Sequence, residues 1–275
     1  VSGKILYGDK DIATLSEREM MTIRGKEIGM IFQEPMNTLN PVTTIGLQIT
    51  ETLKHCGLNE EQKKKRAVEL LRMVGIASPE TRLKDYAHQF SGGMRQRAMI
   101  AIALASSPKL LLADEPTTAL DVTIQDQIIK LLLSLREQLQ MSMILVTHDL
   151  GVASQMCDRI AVMYAGDIME LTTAHELFYS PRHPYTLGLM RSMPLAGKGR
   201  KLIPIKGIPP DLSQEIVGCP FAPRCQLAKK RCMSELPQLC EITPGHSTRC
   251  HFAKELEGES FLNEFGKAGN GHAGK

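Results

Sequence analysis

The sequence predicts an α/β fold: a mostly parallel sheet flanked by helices. Apolar strand-like runs, "KLLLA" at 109–113 and "MSMILVT" at 141–147, alternate with helical stretches, as in a parallel sheet covered on both faces. Composition says what fills that core. Of 275 residues 43% are hydrophobic but only 4% are aromatic and Trp is absent, so Leu, Ile, Val, Met and Ala must do the packing. The length suits one large domain or two smaller ones.

Taken in order, "KILYG" (4–8) reads as a strand, 9–25 as a turn and a short helix, and "EIGMIFQ" (27–33) as a second strand. From Thr44 to Tyr86 the pattern is helical. The segments 44–57 and 59–75 each end on a Gly suited to a helix C-cap. In the second, Glu60 and Glu61 precede Lys64 and Lys65 by four, which makes the basic run Lys63–Arg66 a solvated helix face and not a nucleic-acid patch. "SGGMRQRAMIAIALASSP" (91–108) starts a helix at a Gly pair. The strand at 109–113 follows, then a long amphipathic helix (123–140), the strand ending at Thr147 and a helix over 150–157. "RIAVMYAGDIMEL" (159–171) has a hairpin signature with Ala-Gly-Asp at its turn. After Pro181 the texture changes: 192–212 is dense in Pro and Gly and reads as a linker or an extended wrap, a cysteine cluster follows, and the tail reads as disordered.

The net charge of +3 does not support nucleic acid as the main partner. No apolar run can span a bilayer; the longest, Ala98–Ala105, is bounded by Arg97 and Ser106. The N-terminus lacks the features of a secretory signal and an initiator Met, so a processed chain or a fragment, cytoplasmic by default, is expected. Membrane association would come through a partner.

The chemistry concentrates around Asp114-Glu115. An apolar strand ending in two acids delivers them to the edge of a sheet, where one can hold Mg²⁺ while the other faces an attacking water; the plainer alternative is a pair of helix-capping acids. Upstream, Ser91, Gly92 and Gly93 open a helix whose free N–H groups and dipole favour an anion, although a Gly pair also makes an ordinary turn. Downstream, Asp121 lies in "TALD" and His148 follows the strand "MILVT". A lone His at a strand end is more often structural. Gln33 ends "GMIF" in the same way.

Together these pieces resemble the ATP-binding subunits of ABC transporters. "FQEP" resembles the Q-loop, "FSGGMRQR" the signature with Met94 at a position usually Gln, "LLLADEP" Walker B, "TALD" the D-loop and "THD" the switch histidine. Five motifs in the family's order over about 120 residues make chance a poor explanation. The resemblance implies a P-loop NTPase-like ABC ATPase domain with an inserted helical subdomain. Gln33 would contact Mg²⁺ and water, Asp114 would hold Mg²⁺, Glu115 would be the general base and His148 would contact the γ-phosphate. Ser91, Gly92 and Gly93 would bind ATP held by the opposite subunit, and Asp121 would link the two sites.

The family's phosphate loop, G-x-x-x-x-G-K-[ST], precedes the Q-loop. Ahead of Gln33 the candidate is "VSGKI", which lacks the first Gly and the hydroxyl after Lys4 and precedes a strand. It is rejected. The chain is therefore expected to begin downstream of the loop, as an N-terminally truncated subunit that is poorly stable and inactive as an ATPase by itself.

Cys219, Cys225, Cys232, Cys240 and Cys250 are separated by five, six, seven and nine residues. None of these is the two-residue gap of a zinc ribbon. Inert thiols, an irregular zinc site with His246 or His251, and an iron–sulfur cluster all remain open. The segment "GCPFAPRC" with the closing "HSTRCH", together with "IRGKEIGMIFQEPMNTLNP" and "SPRHPYTLGLMRSMP", resembles the oligopeptide/dipeptide/nickel branch of ABC importers. That resemblance implies a [4Fe–4S] cluster on Cys219, Cys225, Cys232 and Cys250, with Cys240 extra. Arg224, Lys229, Lys230, Arg231 and Arg249 would offset its charge or simply face solvent. It further implies a Walker-A-less ATPase domain over 1–180 with its helical subdomain at 44–90, a Cys-rich extension over 181–252 and a disordered tail over 253–275. The implied partners are a homologous ATPase subunit, two transmembrane permease subunits and an extracytoplasmic peptide-binding protein, with no nucleic acid. The subunit would sit peripherally on the cytoplasmic face of the membrane and energise import of di- or oligopeptides or nickel complexes. The rival reading is a soluble ABC-type ATPase acting on DNA, with a Cys metal module.

Overall fold

The computed structural model describes residues 3–118, 120–193 and 203–256. By internal contacts the chain divides into two units, Val1–Asp149 and Leu150–Lys275. This division does not coincide with the change of sequence texture at 181, because strands on both sides of 181 share one sheet. The expected tail lies outside the described residues from 257 onward, as does the part of the expected linker at 194–202.

The first unit contains, in order, β1 (Leu6–Tyr7), β2 (Lys10–Asp11), α1 (Glu17–Ile23), β3 (Ile28–Ile31), α2 (Pro35–Thr38), α3 (Ile45–Thr52), α4 (Glu60–Met73), α5 (Pro79–Arg82), α6 (Gly92–Ala103), β4 (Leu110–Asp114), α7 (Val122–Leu139) and β5 (Ser142–Val146). The strand expected over 4–8 shrinks to β1, because Gly8 takes a left-handed φ of 58° and turns the chain back into β2. Helices α1 and α4 open on reciprocal caps, Ser16 with Glu19 and Asn59 with Gln62, which satisfy the orphan N–H groups of their first turns. Ile45, Ile49, Leu53, Leu70, Leu71 and Ile100 are fully or almost fully buried where α3, α4 and α6 meet. The helical segment closes on itself through a Thr44–Tyr86 bridge and the Ile45 N–H to Asp85 carbonyl bond of 2.9 Å.

The central sheet has the order β3-β4-β5, all parallel. One row of side chains, including Ile31, Leu111 and Ala113, is buried. Gly29 in that row lets β3 approach the end of α6 closely: an added Cβ would run into the Ala103 carbonyl and stand 3.0 Å from Pro108. In the opposite row Met30 and Ile144, aligned through the half-buried Leu112, are 38% and 54% exposed. Among the described residues no helix is long and apolar enough to cross a membrane.

The second unit contains α8 (Leu150–Met156), β6 (Arg159–Tyr164), β7 (Asp167–Thr173), α9 (Ala174–Tyr179), α10 (Pro184–Ser192), α11 (Lys230–Ser234), β8 (Cys240–Thr243) and β9 (His246–Thr248). The expected hairpin is present. Tyr164 pairs with Asp167 across Ala165 and Gly166, both at positive φ, as a tight two-residue hairpin turn requires. The sheet order is β6-β7-β9-β8, antiparallel throughout. Helix α10 has Pro184 in its first turn, and His183 caps it by accepting the Tyr185 N–H at 3.0 Å.

A buried carboxylate organises this unit. Glu170 on β7 is fully buried. It accepts the N–H groups of Arg182 (2.6 Å) and His183 (3.1 Å) and lies 2.7 Å from His246 Nε2 on β9. His183 itself is 1% exposed. Burial pushes its pKa down from 6.5 to about 4, partly offset by a hydrogen bond to the Arg249 backbone. The unfolded state therefore binds this proton first as pH falls. The contribution is fully present above pH 6.5 and is lost as pH drops toward about 4. The loss amounts to about 3 kcal/mol. Urea unfolding of wild type and His183→Gln from pH 7 to pH 4.5 should show the stability difference between them shrinking by about 2 kcal/mol, most of that loss; a pH-independent difference would contradict a neutral buried His183.

Candidate functional site

Parallel strands end at one edge, and their register decides which side chains meet there. Ile31 aligns with Ala113, and Asp114 with Val146. Gln33, Glu115 and His148 follow those positions and converge. Glu115 Oε2 accepts from Gln33 Nε2 at 2.8 Å and from Thr118 Oγ1 at 2.7 Å, while Oε1 lies 3.0 Å from His148 Nδ1. The hydrogen bond with His148 first, and that from Thr118 next, hold the Glu115 carboxyl below the usual carboxylate range against the opposing effect of burial. It is therefore ionised at neutral pH and competent to accept a proton. Asp114 ends β4, half-buried, next to it.

The backbone at Glu115 is strained. Its φ of 45° is left-handed, a conformation that L side chains rarely adopt, while its N–H still donates to the Val146 carbonyl at 2.9 Å. The ladder thus runs one residue past β4 before the chain turns away at Pro116. The Pro116 carbonyl is held in turn by Gln96 Nε2 at 2.5 Å, and Gln96 is 1% exposed inside α6. Sequence reasoning missed both Thr118 and Gln96. The available signals were a hydroxyl three residues after Glu115 and a lone amide among the apolar residues of α6.

Ser91 is the N-cap of α6, its Oγ accepting the Met94 N–H at 3.3 Å, and Gly92 and Gly93 form the first turn. A Cβ on Gly93 would stand 3.1 Å from Ile124, so this turn adjoins the start of α7. Asp121 caps α7 by accepting the Ile124 N–H at 2.9 Å. The hydrogen bonds of Ser91 and Asp121 run to their own helices, whereas Glu115 is bonded from the ends of other strands by Gln33 and His148 and from its own turn by Thr118.

In the second unit Cys219, Cys225, Cys232 and Cys250 line one cavity with Phe221 and Phe252, while Cys240 is exposed on β8. The Phe252 N–H donates to the Cys250 sulfur at 3.4 Å, and the Ala222 N–H donates to the Cys219 carbonyl at 2.9 Å. Burial pushes the Cys219 and Cys225 thiols up, and Cys250 to about 11. Among the described residues no group of three His, Cys, Asp or Glu side chains is set to hold a single metal ion. His246 is engaged with Glu170. The basic residues named from the sequence mostly have other work. Arg224 donates to the carbonyls of Ile205 and Lys206, Lys229 pairs with Glu255, Arg231 with Glu235, and Arg249 donates to the carbonyls of Ile168 and Pro237.

A parallel sheet edge bearing Gln, Asp-Glu and His, in one unit with a Gly-Gly helix start, defines an ATP-binding cassette. The ABC transporter family profile matches residues 1–118, and that of the oligopeptide/dipeptide transporter C-terminal region matches 169–232. The chain is 54% identical over 247 residues to the oligopeptide transport ATP-binding protein OppD of Bacillus subtilis, covering 89% of this chain and 69% of OppD. It is 45% identical over 261 residues to the dipeptide transport ATP-binding protein DppD of Escherichia coli, covering 94% of this chain and 80% of DppD. Among solved structures it resembles the dimeric ATP-binding cassette MJ0796 bound to ADP and Pi, with a TM-score of 0.56 and 31% identity over 63% of this chain and 74% of that one. It also resembles cbiO1 from Clostridium perfringens, with a TM-score of 0.57 and 31% identity over 64% and 68% of the two chains. The chain belongs to the ATP-binding subunits of ABC transporters, in the oligopeptide/dipeptide branch, and is an ATP-hydrolysing transporter subunit.

The left-handed backbone at Glu115 separates two substitutions that both remove the carboxylate. Glu115→Gly should be about 1 kcal/mol more stable than Glu115→Ala, because only Gly adopts this φ without a Cβ clash. Urea denaturation midpoints of the two variants check this, and equal midpoints would contradict the strained turn.

Proposed function

We propose that the chain energises import of di- and oligopeptides as one of two paired ATPase subunits, docked on the cytoplasmic side of a membrane transporter. The observation that carries the reading is the convergence of Gln33, Thr118 and His148 on the Glu115 carboxylate at the end of β4. Likeness to oligopeptide and dipeptide transport proteins favours peptides over nickel complexes, and favours transport over action on DNA.

Glu115 is the general base. It accepts a proton from water as the water oxygen attacks the γ-phosphorus of ATP, and ADP leaves. Gln33 and Asp114 suit Mg²⁺, a hard cation that takes oxygen ligands. The Gln33 amide nitrogen is committed to Glu115, which leaves its carbonyl oxygen to face a cation. When bound, Mg²⁺ neutralises charge on the phosphate oxygens. His148 contacts the γ-phosphate. Ser91, Gly92 and Gly93 offer free N–H groups and the positive end of α6 to ATP held on the homologous subunit, and Asp121 links the two sites.

The loop after Gln33 is stapled by Gln48, whose Nε2 donates to the carbonyls of Asn40 and Thr43, both at 3.0 Å. Met30, Phe32, Leu39, Asn40, Gln48 and Met99 line a groove there, suited to a cytoplasmic helix from each of two permease subunits. A peptide-binding protein outside the membrane completes the system. In the assembled transporter, Glu115→Gln should cut ATP turnover about 100-fold or more while ATP still binds. Unchanged turnover would sink the assignment.

Cys219, Cys225, Cys232 and Cys250 are the ligands of a [4Fe–4S] cluster in this reading. Their lining of a single shared cavity supports it, together with the Phe252 N–H on the Cys250 sulfur. When bound, the cluster ties four points of the chain together and so adds folding free energy. Anaerobically purified protein should contain about four irons per chain. Cys219→Ser should lose the iron and Cys240→Ser should keep it; iron-free wild type would overturn the ligand set.

A further inference from the structure

A carboxylate accepts about four hydrogen bonds, two on each oxygen. At Glu115, Oε2 receives two, from Gln33 Nε2 (2.8 Å) and Thr118 Oγ1 (2.7 Å), and is therefore full. Oε1 has one partner, His148 Nδ1 at 3.0 Å, and keeps one position open. The three partners are not equivalent. Gln33 and His148 come from the ends of other strands, and both are exposed, the His148 side chain 74% so. Both are free to turn toward a nucleotide. Thr118 is half-buried and belongs to the same turn as Glu115, its N–H donating to the Glu115 carbonyl at 3.1 Å. A threonine hydroxyl has one proton to donate, and here it goes to the carboxylate.

We propose that Thr118 is a positioning residue for ATP hydrolysis: it keeps Oε2 occupied and the carboxylate plane fixed, so that Oε1 takes the proton of the attacking water. This rests on Glu115 being the general base. In the step itself one O–H bond of water breaks and its proton passes to Oε1. The water oxygen bonds to the γ-phosphorus, and the bond from that phosphorus to the bridging oxygen breaks with its electron pair leaving on ADP. The proton departs afterwards with phosphate.

The test compares Thr118→Val, which keeps the shape and removes the donor, with Thr118→Ser, which keeps the donor. In the assembled transporter, Thr118→Val should lower kcat about tenfold, the loss of one hydrogen bond to a charged group, and leave the KM for ATP within about twofold. Thr118→Ser should restore kcat. Crystal structures of the 275-residue chain should show one Glu115 rotamer in wild type and Thr118→Ser and several in Thr118→Val. Should Thr118→Val not fold, Thr118→Ala provides the same contrast with Ser. A Val variant as fast as wild type overturns the proposal. So does a Ser variant as slow as Val, which would make Thr118 part of the turn's framework only. Wild-type turnover that ignores Glu115→Gln would instead remove the general base on which the proposal rests, a separate and recognisable failure.

Discussion

Parallel pairing of β4 between β3 and β5 is the constraint on which the site depends. The pairing puts three strand ends at one edge, and its register sets which face each side chain takes there. A slip of one residue between β3 and β4 would turn the side chains of β3 to the opposite face, with Gln33 among them. The slip is opposed by packing, because it would also expose Ile31, now fully buried, and put a side chain where Gly29 admits the carbonyl of Ala103. The same close-packed row that stabilises the sheet therefore fixes the chemistry at its edge. Glu115 is held more tightly still. Its N–H continues the ladder to Val146 while the chain has already begun to turn, and the left-handed φ is the consequence of meeting both demands.

A short line of contacts runs from this turn to the Gly-Gly helix start. Gln96 lies in α6, the helix that Ser91 caps, and its buried amide grips the carbonyl of Pro116, the residue after Glu115. Gly93 of the same helix rests on Ile124 of α7, whose N–H is capped by Asp121. A displacement of α6 thus has two contacts through which to reach the 114–121 segment, one a hydrogen bond and one van der Waals packing. An amide buried among Ala98, Met99 and Ile100 is otherwise hard to account for, since an apolar residue of similar volume would be stabilising there if Pro116 did not require a donor.

The legible part of the sequence was its local physics. The apolar run Leu110–Ala113 gave β4, the hydroxyl of Ser91 before two glycines gave the start of α6, and Ala165-Gly166 gave the hairpin turn. Gln33, Glu115 and His148 could be assigned to strand ends because each follows an apolar run. Their mutual distances could not be read, since these depend on register between segments far apart in the chain. Thr118 was missed because a hydroxyl in a turn usually satisfies backbone groups and only coordinates reveal a carboxylate within reach. The cysteine spacings are irregular, so resemblance alone had grouped Cys219, Cys225, Cys232 and Cys250, the four that line the cavity in the fold. The β7–β9 pairing that brings His246 to Glu170 has no local signal at all.

Glu170 and Glu115 make an instructive pair, because each carboxylate is held by three partners and only one sits where chemistry can occur. Glu170 accepts two backbone N–H groups and meets His246 in full burial, so its bonds lock β7, β9 and the start of α10 together. Removing any one of them would strand a polar group away from water, which is why such networks fix a structure more than they stabilise it. Two of the partners of Glu115 are side chains at the surface, able to exchange with solvent or ligand, and one position on Oε1 is open. The number of hydrogen bonds does not separate a structural carboxylate from a reactive one. Access does: Glu115 is satisfied incompletely and at the sheet edge, where solvent reaches its partners, and this is what the general-base role proposed for it requires.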